Sequence, residues 1–108
     1  MAQNFRRYTS NAAGTSPVTL FTADSYDTVV GISVSNITTN TIFVDVYIND
    51  SVNDIYLVKD APIPAGSTLQ VLDGGAKFVV QSGDALKVVS DTASSADIWV
   101  STVDAIST

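Results

Sequence analysis

The chain has 108 residues, 45% of them hydrophobic, with eleven acidic and five basic residues for a net charge of −6, and no Cys or His. That length is one domain, and that hydrophobicity excludes a disordered chain, which needs little apolar material and much charge. The missing Cys and His remove disulfides, thiol nucleophiles, His-based triads and the usual zinc sites, and the negative balance argues against holding nucleic acid by its phosphates.

Met1–Ser10 is polar, holds Phe5, Tyr8 and the pair Arg6 and Arg7, and lacks strand alternation. It is predicted to be an N-terminal arm, residues 1–10, that leaves a single domain over residues 11–108 and docks on a neighbouring subunit or on the particle. It has no apolar core of the kind a secretory signal needs. Asn11–Ser16 is a turn containing Gly14, and Val18–Thr22 a short strand with Pro17 at its start, where a missing N–H is tolerated. Ala23–Asp27 is a turn. In Thr28–Asn36, Val30, Ile32 and Val34 alternate with Gly31, Ser33 and Ser35. In Ile42–Asn49, Ile42, Val44, Val46 and Ile48 alternate with Phe43, Asp45, Tyr47 and Asn49. Such period-two, β-branched runs are strands with one buried face, and the short link Thr38–Thr41 predicts that these two form a hairpin.

Asp50–Asp54 is a loop and Ile55–Lys59 a strand. Asp60–Gly66, reading DAPIPAG, is a sheet-to-sheet crossing, because proline does not serve a central ladder. Ser67–Leu72 is a strand ended by Asp73-Gly74-Gly75, Lys77–Val80 a short strand ended by Gln81–Asp84, and Ala85–Ser90 a strand followed by the loop Asp91–Ser95. Ala96–Asp104 is the last strand and holds Trp99. All eleven acidic residues are Asp, which favours turns over helices, and no stretch carries a helical period. The expected fold is all-β: a small antiparallel β-sandwich, jelly-roll-like, of about eight strands with a turn signal every ten or so residues.

Nothing in this pattern carries catalysis. No phosphate-binding glycine motif occurs, and the eleven Asp residues pair only by chance in a sandwich with little room for a cleft. Asn49, Asp50, Asn53 and Asp54 are close enough to interest a calcium ion, but their spacing is not that of an EF-hand, and Asn and Asp commonly cap turns. Neither a cofactor nor a metal is expected. The sequons at Asn36 and Asn49 are read as incidental. No apolar run reaches membrane-spanning length.

The informative feature is a second apolar face. Phe43 and Tyr47 lie opposite the core positions of their strand, and Tyr56 and Trp99 repeat this on others. Charged residues are only 15% of the chain, below the usual quarter, which suits a surface that packs against protein. The predicted interface is Phe5, Arg6, Arg7, Tyr8, Phe43, Tyr47, Tyr56 and Trp99. The same aromatics would also suit sugar stacking at a carbohydrate- or host-surface-binding module of a fibre; enrichment of aromatics at protein interfaces favours the interface.

The stretches GISVSN (Gly31–Asn36), VDVYIND (Val44–Asp50), YLVKDAPIPAGSTLQV (Tyr56–Val71) and SGDALKVVSD (Ser82–Asp91) together resemble small all-β virion structural proteins of tailed bacteriophages, including phages of cyanobacteria. The likeness runs from Asp27 to Asp104, and the PIPAG turn followed by GD before a Lys-Val strand is its distinctive part. It implies a non-enzymatic virion component, made in the host cytoplasm and incorporated in the virion. Its expected partners are itself, with a trimer favoured, and other capsid, neck or tail proteins, with neither nucleic acid nor membrane. Capsid decoration and head or neck association are the expected roles.

Overall fold

Extended backbone turns alternate side chains to opposite sides, so the β-branched runs bury one face each when two sheets meet. The computed structural model describes residues 5–23, 27–72 and 78–103. Within them nine strands form: β1 (Phe5–Ala13), β2 (Val18–Thr22), β3 (Asp27–Asn36), β4 (Ile42–Asn49), β5 (Asp54–Ile63), β6 (Thr68–Leu72), β7 (Phe78–Val80), β8 (Ala85–Ser90) and β9 (Ala96–Val103). They make two antiparallel sheets. The first runs β1-β9-β3-β6, with β7 on the same edge of β3 as β6, and the second runs β2-β8-β4-β5. Each sheet interleaves early strands with returning late ones, which is the strand order of a jelly roll. The expected all-β sandwich is therefore the fold, with β7 as a ninth, short strand.

The core fills the space between the sheets. Val29, Ile32, Val34, Ile98 and Val100 come from the first, and Ile42, Val44, Val46, Ile63, Leu86 and Val88 from the second, none more than 3% exposed. At one open side Tyr8 of β1 stacks on Phe21 of β2, with ring centroids 4.7 Å apart.

Four sequence expectations are corrected. The arm is the first: residues 5–10 are not projecting but form the start of β1, paired antiparallel with β9 from Phe5 opposite Val103 to Ser10 opposite Ile98. As an edge strand β1 buries little, so its sequence shows no clean alternation. Residues 1–4 of the expected arm lie outside the described residues.

The hairpin is the second. β3 and β4 belong to different sheets, and the link between them is an arch across the sandwich. Buried Asn36 holds that arch. Its Nδ2 donates to the carbonyls of Asn40 at 2.7 Å and Ile63 at 2.8 Å, and its Oδ1 accepts from the Thr38 N–H and hydroxyl. A backbone bond from Asn36 N–H to Ser67 C=O ties in the crossing after β5. The true hairpin of this region is β4–β5, closed by the Asp50 N–H on the Asn53 carbonyl.

The third correction concerns β3. Its pairing with β9 slips between Val29 and Gly31, and the extra residue at Val30 reverses the alternation. Val29 is therefore fully buried while Val30 is only half-buried, since one added residue turns the following side chains to the opposite face. The fourth is β5, which continues through Lys59 to Ile63. Pro62 is accommodated because β5 is an edge, and the crossing is left to Pro64–Ser67, with Gly66 at φ +71°. Asp73-Gly74-Gly75, Lys77, Asp104 and the centre of the turn at residues 24–26 lie outside the described residues.

Candidate functional site

The expected interface residues divide between the two outer faces of the sandwich, and one turns inward. Tyr8 is the inward one, half-buried and stacked on Phe21 of β2.

On the second sheet, β4 sends Phe43, Asp45 and Tyr47 outward. Phe43 is 43% exposed and lies opposite Pro62 of β5. Its N–H donates to the Asp91 carboxylate at 3.1 Å, and its carbonyl accepts from the Asp91 N–H at 3.0 Å, so the backbone here is clamped. Tyr47 pairs with Tyr56 of β5 on one side and Lys87 of β8 on the other. Tyr56 covers it, with ring centroids 5.0 Å apart, leaving Tyr47 only 7% exposed and Tyr56 at 42%. Tyr47 therefore faces outward but lies beneath the surface that Tyr56 presents. Lys59 Nζ is 4.6 Å from the centre of the Tyr56 ring and 3.6 Å from the Asp45 carboxylate, and Asp45 also accepts from the Asp60 N–H at 2.7 Å. This fixes β5 where its backbone bulges and Asp60 takes φ +52°. Burial, followed by the nearby Asp54 carboxylate and then Tyr56 and Asp45, pushes the Tyr47 phenol above its ordinary value of 10.0.

On the first sheet, β9 presents Trp99, 50% exposed, in register between Thr9 of β1 and Ser33 of β3. The indole N–H donates to the Ser101 hydroxyl at 3.3 Å, and the Arg7 guanidinium lies over the ring, 5.5 Å from its centroid. Two shallow depressions meet at Arg7 and Trp99. The larger, about 520 Å³, reaches Asn11, Ser33, Ser35 and Asp97, and the smaller, about 320 Å³, reaches Phe5, Arg6, Val30 and Ser101. Phe5 is 76% exposed at the far end of β1. Asp97 accepts from the Asn11 amide at 3.0 Å and the Ala12 N–H at 2.8 Å, pinning a bulge in β1 at which Ala12 takes φ +55°. That groove, made by Asp97 and hydroxyl-bearing neighbours, had no signal in the sequence, because its residues come from three strands distant in the chain.

The Asn/Asp-rich loop after β4 folds on itself. Asn49 Oδ1 accepts from the Ser51 N–H, Asp50 Oδ1 from the Val52 and Asn53 N–H groups, and Asp54 Oδ1 from the Asn49 amide. The two N–H groups hold the Asp50 carboxyl below its ordinary range. These are turn caps, which account for the cluster. Among the described residues no group of three or more acidic side chains is placed to hold a metal ion, and no helix is long and apolar enough to cross a membrane. Of the two sequons, Asn36 is buried and committed to the arch. Comparison with known proteins finds no matching family model and no matching curated protein.

Proposed function

We propose that this chain is a non-enzymatic virion structural protein, a subunit that assembles with itself and seats on a capsid or neck surface. The observation that carries the reading is the face of the second sheet, where Phe43 beside Pro62 stands exposed at one end of the β4–β5 pair and Tyr56 at the other, with the Asp45–Lys59 ion pair between them. Aromatics held on strands lose little freedom on contact, and a face of this kind is what a partner subunit covers. Jelly rolls serve as capsid and lectin domains, so the fold is compatible with the role without deciding it.

One edge of each sheet, β5 and β1, favours contact through faces over strand addition. β5 is bulged twice and carries Pro62, and β1 carries Arg6 and Arg7 and its own bulge; such features block pairing with a further strand. Cyclic symmetry is the common way in which such contacts close, and a trimer suits a capsid lattice. The resemblance of Tyr56–Val71 and Ser82–Asp91 to phage virion proteins points the same way. Quantitative mass spectrometry of purified virions from a phage encoding this chain is the test. Copies at a stoichiometry set by capsid or neck symmetry are expected; absence from the particle overturns the reading.

A further inference from the structure

The first sheet's outer face has a different chemistry from the second's. Trp99 has Thr9 and Ser33 on either side of it in register and Ser35 beyond, hydrogen-bonded to Thr68 at 2.9 Å, with Arg7, Phe5 and Val30 toward the other end of the face. Arg7 and Asp97 flank the larger depression and Arg6 joins Arg7 in the smaller, so the trough carries only a small positive excess although the chain as a whole is acidic. Hydroxyls and an amide line the groove on one side of Trp99, and Phe5 and Val30 add apolar surface on the other. A phosphate-bearing polymer needs a row of cations, and Asp97 repels it. An apolar small molecule needs an enclosed pocket, whereas this is a shallow open trough.

From these features we infer that the groove along β1, β9 and β3 binds an oligosaccharide built of pyranose rings. The half-exposed indole surface left open beside the Arg7 guanidinium receives the C–H-bearing face of a sugar ring, since aromatic faces carry partial negative charge. Hydroxyls and amides on the surrounding strands then exchange hydrogen bonds with the sugar's rim, directly or through water. The two depressions that meet at Trp99, about 520 and 320 Å³, give a trough that continues past the indole on both sides, which suits a chain of sugars rather than a single ring. The platform is preformed: the Ser101 hydroxyl and the Arg7 guanidinium hold the indole, and Asp97 fixes the β1 bulge at the groove's end.

The chain has a single tryptophan, so indole fluorescence reports on this groove alone. A printed array of bacterial and plant glycans identifies binders, and the hits are then titrated into the native full-length chain by fluorescence and calorimetry. A saturable shift of the Trp99 emission is expected. Trp99→Ala, a change at a half-exposed position that should leave the circular dichroism intact, should bind about tenfold more weakly by calorimetry. Ser33→Leu, which keeps the tryptophan and fills the groove beside it, should abolish the emission shift. A blank array, or binding that neither substitution weakens, overturns the inference. So does a Trp99→Ala chain that changes its oligomeric state while the native chain binds no saccharide, for the face is then a protein contact. A blank array leaves the assembly reading standing, since that reading rests on the opposite sheet and is tested there by Phe43→Asp.

Discussion

Single residues hold this sandwich at places where apolar burial cannot. Asn36 is 2% exposed and its side chain makes four hydrogen bonds across the arch between β3 and β4. Asn36→Ala strands the buried Ile63 carbonyl and should cost about 2–3 kcal/mol, read as a lower urea midpoint with an unchanged slope. Tyr47 sets a limit at high pH. Its folded-state pKa is raised above 10.0, so the folded chain holds the phenol proton more tightly than the unfolded chain does. Its contribution is fully present below pH 10 and is lost as pH rises through the folded value. Thermal melts should therefore fall above pH 10, and Tyr47→Phe should flatten that fall, because phenylalanine has no proton to lose. Neither residue's role was legible in the sequence. Asn36 looks like any turn residue or sequon, and the cover that Tyr56 gives Tyr47 depends on a cross-strand register set by two bulges in β5.

At the scale of the strand, β4 was the most legible element. Its even positions Ile42, Val44 and Val46 are at most 1% exposed, while Phe43 remains open on the outer face. Val44→Asp places an unpaired charge in the core and should unfold the subunit. Phe43→Asp should leave the circular dichroism spectrum and melting temperature near those of the native chain; equal unfolding by both would make the Phe43 face part of the core. β9 was equally readable, since it is central and buries Ile98 and Val100 while exposing Trp99. β1 was not: paired on one side only, it satisfies its ladder with backbone bonds and needs few apolar residues. The bulge at Val30 and the choice between hairpin and arch after Asn36 escaped for a common reason. Both depend on which strand lies alongside, and a local pattern does not encode its neighbour.

For the whole molecule, the β-rich, charge-poor composition pointed to an all-β sandwich, and the strand order β1-β9-β3-β6 over β2-β8-β4-β5 makes that sandwich a jelly roll. The aromatic surface anticipated in the sequence is two surfaces with unlike chemistry, back to back. The sheet of Phe43 and Tyr56 is the proposed contact between subunits, and its bulged, Pro62-bearing β5 edge discourages strand pairing, so assembly is expected through the face. The most direct measurement is the mass in solution of the native full-length chain by multi-angle light scattering, over a concentration series, beside Phe43→Asp. The native chain should give a discrete oligomer, with a trimer expected, and Phe43→Asp a folded monomer. A native chain that stays monomeric at high micromolar concentration and shows no affinity for capsids or connectors, or an oligomer that Phe43→Asp leaves intact, would contradict assembly through this face.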